Sequence, residues 1–337
     1  MTRMASGRIP MLAAIWLCVF LPIATAAPAQ APSPALLVLE KGDRSLAIVD
    51  PDTLKIVARV DAGEDPHEIV ASEDGRFAYI SNYGAFSTPG QTLTVVDLVA
   101  QRTLSPVSLG ALRAPHGLEF VDGKVYFTAE GSKAIARYDT SSRQIDWALG
   151  IGQNRTHMLV VVKDRIFTSN VNSDSITILE RDKGGDVSGW TQTHVSVGKG
   201  PEGFDVSPDG KTLWAANSHD GTVSVIDVAA KRVLQTLDLH TKFANRLKFT
   251  PDGKRVLISD LGNGDLLVLD ADSTREIKRV SLGRGAAGVL VAGGGSRAYV
   301  AVSPDDLVVV VDLGTLSVTG RISTGKGPDG LAWAVRK

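Results

Sequence analysis

Short apolar runs, rich in β-branched residues, alternate along this chain with polar turns, and each run is too brief for a stable helix. Val223-Ser224-Val225-Ile226 and Leu93-Thr94-Val95-Val96 are representative, and runs of this kind bounded by Gly, Pro and Asp predict strands. Ser207-Pro208-Asp209-Gly210 and Thr250-Pro251-Asp252-Gly253 predict hairpin turns: Pro presets φ, Asp caps, and Gly takes the left-handed position. No sustained amphipathic helical pattern follows the first thirty-five residues.

The runs are organised into a repeat. Its cleanest copy reads Gly200-Pro201-Glu202-Gly203-Phe204-Asp205-Val206, the Ser207–Gly210 turn, Leu213-Trp214-Ala215-Ala216-Asn217, and Val223-Ser224-Val225-Ile226-Asp227. The residue after the Pro, or its stand-in, recurs at His67, His116, His157, Glu202, Asn245, Ala287 and Asp329, with spacings of 49, 41, 45, 43, 42 and 42. A period near 40 with four short strands per unit predicts an all-β β-propeller. Six units are continuous, beginning near Gly63, Ala111, Gln153, Lys199, Thr241 and Arg284. The stretch 36–62 lacks an innermost strand, and 326–337 is an innermost strand with nothing after it. Joined, they complete a seventh blade, so one domain over 36–337 closes without an open sheet edge.

Composition adds constraints on context. The formal net charge of −1 and the absence of a basic stripe give no electrostatic reason to expect nucleic acid. Arg3 and Arg8 precede the apolar run from Met11 to Ile23, and Ala24-Thr25-Ala26 is a small-residue cleavage site. Residues 1–26 therefore read as a secretory signal and 27–35 as a disordered lead-in, and the apolar run is too short to span a bilayer. The single cysteine, Cys18, lies inside that signal, so the mature protein holds neither disulfide nor thiol. The expectation is an exported monomer, periplasmic or secreted, with no membrane span once the signal is removed.

The stretch Lys199 to Asn217, and Tyr79-Ile80-Ser81-Asn82 in another unit, resemble the YVTN-repeat (YncE-like) family of seven-bladed β-propellers. The resemblance implies the fold over nearly the whole mature chain. It leaves function open, because that family includes binding proteins, lactonases and metal-cofactor enzymes. The last continuous unit departs most, with Gly293-Gly294-Gly295 in place of the Pro-Asp-Gly turn.

In a propeller the innermost strand begins on the face where the second strand ends, so two columns of the repeat are expected to ring the channel mouth. One is His67, His116, His157, Glu202, Asn245, Ala287 and Asp329; the other is Asn82, Glu130, Asn170, Asn217, Asp260, Val302 and Glu40. Only Ala287 and Val302 are apolar, and they share a blade, which predicts a polar pocket with one bland side. His67, His116, His157 and Glu202 come from consecutive blades and could converge on a divalent cation such as zinc or copper. The alternative is a water-filled polar mouth in which the histidines bond neighbouring backbone. Arg155 and Arg246 flank the ring and either grip a carboxylate or phosphate, or pair with Glu202 and Glu68. The loop after Asn82 is five residues longer than its counterpart after Asn217; with Tyr83, Phe86 and Pro89 it reads as a lid or as a surface loop.

Gly283-Arg284-Gly285-Ala286-Ala287-Gly288 spells a dinucleotide fingerprint, but a strand rather than a helix follows, so it is dismissed. Three functions are compatible with these residues. The first is a binding module for a small molecule or a periplasmic protein. The second, carried by the family resemblance, is a lactonase-like hydrolase using His116, His157, Glu202 and Arg246. The third is a propeller subunit of a metal-dependent redox system.

Overall fold

The computed structural model describes residues 1–2, 32–85, 87–182 and 189–337. The expected signal, most of the lead-in, and Phe86 lie outside the described residues. From Ala35 onward the chain builds seven sheets, six of four strands and one whose outermost strand is split in two.

Blade 1 pairs the C-terminal strand Pro328–Ala334 with Ala35–Glu40, followed by Ser45–Asp50 and Lys55–Asp61. The expected closure is thus what the molecule has, with Leu36 opposite Trp333 and Val38 opposite Leu331. Blades 2 to 7 begin with the innermost strands Pro66–Ala71, Pro115–Val121, Thr156–Val162, Pro201–Val206, Ala244–Phe249 and Ala286–Val291. The strand pairings are antiparallel, and each blade packs mainly against its two neighbours.

Burial follows position in the blade. Second and third strands such as Ala35–Glu40 and Thr222–Asp227 are covered on both faces, which is why their sequences are near-continuous apolar runs. Outermost strands such as Lys55–Asp61 alternate exposed and half-buried residues. The core is a series of layers between blades: Trp214 and Val225 of blade 5 pack against Val256, Ile258 and Leu267 of blade 6. Tyr299 and Val310 of blade 7 pack likewise against Leu36 and Ala47 of blade 1.

The predicted turns form as their residues require. Asp209 accepts from Ser207 Oγ at 2.7 Å and from Lys211 N at 3.0 Å, while Gly210 sits at φ 73°. Gly294 and Gly295, at φ 85° and 73°, make the variant turn of blade 7. Strand Ala286–Val291 does follow the fingerprint-like glycines, and no helix opens there.

Candidate functional site

Each innermost strand carries a β-bulge at its second residue. In blade 3, Pro115 pairs with Ala129 and Leu118 with Phe127, so His116 and Gly117 together face Thr128. The same jump occurs at His67, His157, Glu202, Asn245, Ala287 and Asp329. A bulge leaves its extra residue out of the ladder and re-aims the side chain, here toward the channel mouth.

Hydroxyls on the second strands lock these bulges. Thr128 Oγ1 accepts from Gly117 N at 2.9 Å and donates to the His157 carbonyl of the next blade at 2.7 Å. Ser169 accepts from Met158 N at 3.2 Å and donates to the Glu202 carbonyl at 2.9 Å. Gly117 and Gly203 are glycines because a Cβ there would stand 2.8 Å from His157 O and 2.6 Å from Arg246 Cα. The functional side chains are therefore placed by backbone locks that run from blade to blade.

His67, His116 and His157 stack side by side, with ring centroids 5.0 Å apart for the first pair and 3.8 Å for the second. His157 is buried between two carboxylates. Its Nδ1 meets Glu130 Oε1, and its Nε2 lies 2.6 Å from Glu202 Oε2, off the line of a well-formed hydrogen bond. Burial disfavours the imidazolium, but Glu202 and Glu130 outweigh it and push the His157 pKa up to about 9. Reciprocally, burial opposes ionisation of Glu202, yet His157, Arg155 and Arg246 bring it down to about 2. Glu130 is lowered too, against its burial, by His157, Tyr83 and Arg155.

His116 differs from its neighbour. It is buried, its Nδ1 has no hydrogen-bond partner, and burial with the cationic groups nearby holds its pKa well below 6.5. Arg155 Nε lies 3.7 Å from Glu130 and its Nη2 3.5 Å from Glu202, while the side chain stays 37% exposed. The guanidinium thus sits at ion-pair range with donors still open toward the mouth. Tyr83 donates to Glu130 Oε2 at 2.7 Å, and its ring lies 4.7 Å from that of His67. The five extra residues lengthen the hairpin of Phe77–Ala85 and Thr88–Asp97, and Pro89 pairs with Gly84 at its tip.

Below this layer the channel is closed. Arg246 reaches across from blade 6 to Glu68 of blade 2 and also donates to Asn245 O at 3.2 Å and Asn245 Oδ1 at 3.3 Å. Burial opposes the Arg246 charge, and Glu68 and Asp329 more than compensate. Beneath lies a channel of about 340 Å³ lined by all seven innermost strands, with Lys248 3.9 Å from Asp205. The Arg246–Glu68 pair thus spans the axis beneath the histidines. A larger cavity, about 1390 Å³, is elsewhere: it opens between blades 2 and 3 on the opposite face, over Tyr79, Phe120 and Tyr138. It gathers none of the histidines, so the funnel is the better candidate.

The second column does not ring the mouth as expected. Asn82 donates to Ala62 O and accepts from Thr92 and Thr94. Asn170 bonds Thr156, Ser175 and Thr177; Asn217 bonds Thr222 and Ser224. Asp260 accepts from the Lys242, Phe243, Gly262 and Asn263 amides, and Glu40 from Ser45, Arg59 and the Gly325 amide. The ladder directs these side chains into their own blades, where they tie the funnel-face turns to the incoming chain. Glu130 alone in this column joins the site.

In the first column, His67, His116, His157 and Glu202 lie together, but His67 is engaged separately. Its Nε2 is 2.5 Å from Lys41 Nζ, which in turn is 3.8 Å from Asp65 and 4.0 Å from Asp329. The ligand-forming cluster is His116, Glu130 and His157, whose candidate atoms lie within 4.8 Å of one another. Glu130 thus stands where His67 and Glu202 were expected. Asn245 is held by Arg246, Ala287 is buried, and Val302 packs into the apolar layer between blades 6 and 7 rather than facing the mouth. Sequence reasoning missed Lys41 and left Glu68 as a mere partner; the signal for Glu68 was a carboxylate where blades 3, 5 and 7 have Gly.

The chain belongs to the YNCE-like beta-propeller family, whose profile matches residues 164–334. No curated protein sequence matches it. Solved structures similar in fold include a functionally unknown protein from Desulfotomaculum acetoxidans (13% identity, TM-score 0.74, covering 90% of this chain and 100% of that one). Others are the periplasmic gluconolactonase PpgL of Pseudomonas aeruginosa (17% identity, TM-score 0.70, covering 91% and 100%) and hydrazine synthase of Kuenenia stuttgartiensis (20% identity, TM-score 0.66, covering 79% and 89%). At these identities the likeness concerns the fold.

Proposed function

We propose that this is an exported binding propeller whose funnel captures a small polar molecule carrying a carboxylate or a lactone carbonyl. The observation that carries the reading is the cluster of charged and polar side chains at the channel mouth. Arg246 and Glu68 close its floor, and a half-exposed Arg155 and the unpartnered His116 Nδ1 remain on its wall. Buried polar atoms are nearly always satisfied, so the unpartnered His116 Nδ1 and the partly exposed Arg155 guanidinium in the same ring of residues support a ligand-binding role.

A second reading, lactone hydrolysis, is favoured by the same nitrogen and by the likeness in fold to gluconolactonase PpgL. Water would attack the ring carbonyl while His116 takes its proton and Arg155 stabilises the oxyanion. The acyl C–O bond then breaks and the proton passes to the departing oxygen, leaving a hydroxy acid.

Calorimetric titration with a panel of sugar acids and sugar lactones tests both. Binding of an acid should weaken at least about tenfold in Arg155→Gln, with Tm unchanged within about 2 °C. Lactone turnover, if present, should vanish in His116→Ala. A panel that fails to bind at millimolar concentration, or binding indifferent to Arg155→Gln, overturns the reading.

A further inference from the structure

We propose that His116, Glu130 and His157 form a site for one borderline divalent transition metal, zinc foremost, open toward the funnel. The inference rests on the funnel reading and deepens it by naming what the ligand's oxygen would meet there.

Three observations converge. First, one atom from each of these residues lies within 4.8 Å of the others, and all three side chains are buried. Two imidazoles and a carboxylate are the donor set of open zinc sites and of facial-triad iron sites. Second, His116 is 3% exposed and its Nδ1 has no partner among the described residues. That buried nitrogen is one that no other described residue uses.

Third, the surroundings are those that orient metal ligands. A ligating histidine ordinarily donates its other ring N–H to a carboxylate, and the ligating carboxylate is itself hydrogen-bonded. With His157 Nδ1 facing Glu130, its Nε2 faces Glu202 Oε2 at 2.6 Å. The second oxygen of Glu130 receives the Tyr83 hydroxyl at 2.7 Å. Glu130 and Glu202 flank the two nitrogens of one imidazole, and a bound metal would give them separate roles: Glu130 as ligand and Glu202 as positioning residue.

The departure of Glu130 from its column agrees with this. Four of the seven equivalent positions are Asn or Asp, whose shorter side chains stay within their blades; the longer Glu130 instead reaches His157 in the next blade. Glu40 shows that length alone does not send a glutamate to the axis, because it remains at its own turn with Arg59. A metal on this side of the mouth would share the funnel with Arg155. One open coordination position and one guanidinium would then address the two oxygens of a carboxylate, or a carbonyl and its developing charge.

The test uses the protein purified from cells, stripped with chelator and titrated with Zn(II) and Co(II). One equivalent of Zn(II) should bind, and Co(II) should give the d–d absorption of a low-coordinate site. His116→Ala and Glu130→Asn should weaken Zn(II) binding at least about 100-fold, and Glu202→Gln about 10–100-fold, the scale of lost orienting partners. Glu130→Asn carries the natural residue of three sister blades, so it keeps the test valid should His116→Ala fold poorly. Zn(II) binding unaffected by Glu130→Asn, or absent below about 100 μM, overturns the metal site. Should the chelated protein still bind sugar acids as tightly, the claim that the metal meets the ligand's oxygen fails and the funnel reading stands. Zinc binding as described with no sugar acid or lactone bound upholds the metal site and removes the funnel reading.

Discussion

The starts of the innermost strands and the ends of the second strands lie side by side on one face of the disc, and both are polar. Their side chains nonetheless go to different places. At the innermost strands a bulge frees each residue from the ladder, so His67, His116, His157 and Glu202 converge on the axis. At the second strands the ladder to the third strand runs regularly as far as these positions, and Asn82, Asn170, Asn217 and Asp260 turn into their own blades. One strand feature, two residues opposite one, separates a site from a set of caps. The lesson is that a column of polar residues in a repeat is not evidence of a site until the backbone geometry at that column is known.

The comparison is broken most severely at a cap. Asp260→Ala leaves the amides of Lys242, Phe243, Gly262 and Asn263 without their acceptor. Unfolding in urea should show a loss of about 3 kcal/mol, while ligand affinity stays within about twofold. A loss below about 1 kcal/mol would mean that the caps do not hold the blades.

The axial column makes the opposite contribution, and its far end shows it through pH. Burial pushes the Glu119 carboxyl up to about 7 from 4.5, with Lys248 opposing. Between those values the folded protein keeps a proton that the unfolded chain has released. Stability therefore falls as pH rises from about 4.5 to 7, and the loss is complete above it. Glu119→Gln should remove roughly 1–3 kcal/mol of the difference between pH 5 and pH 8 in urea melts. An unchanged difference would show that Glu119 is solvated in the channel.

The smallest effect is expected where the two columns meet. Thr128→Val removes the hydroxyl that joins the Gly117 amide to the His157 carbonyl, and should cost about 1–2 kcal/mol. Because that lock sets the height of His157, sugar-acid affinity should also fall several-fold. Stability lost with affinity untouched would place the lock in the blade alone.

Much of the architecture was legible because repetition is a one-dimensional property. A period near 40, strands closed by Pro-Asp-Gly turns, and an unpaired strand at each end were enough to give seven blades and their closure. The chain order also identified the histidine column and its neighbour Glu202, since consecutive blades are consecutive in space. What the order could not give was direction. Alternation along a strand is strict only while the ladder is regular, and apart from the glycine that follows some of them the bulges that re-aim the first column leave no mark in residue type. Hence Asn170 and Glu130 look equivalent in the alignment, although one caps its blade and the other reaches His157. Contacts across the axis, such as Arg246 with Glu68, join residues 178 positions apart and belong to no repeat period. Local patterning and turn chemistry determined the disc; only the closed ring decided which polar side chains face one another, because axial distances are set by the packing of all seven blades together.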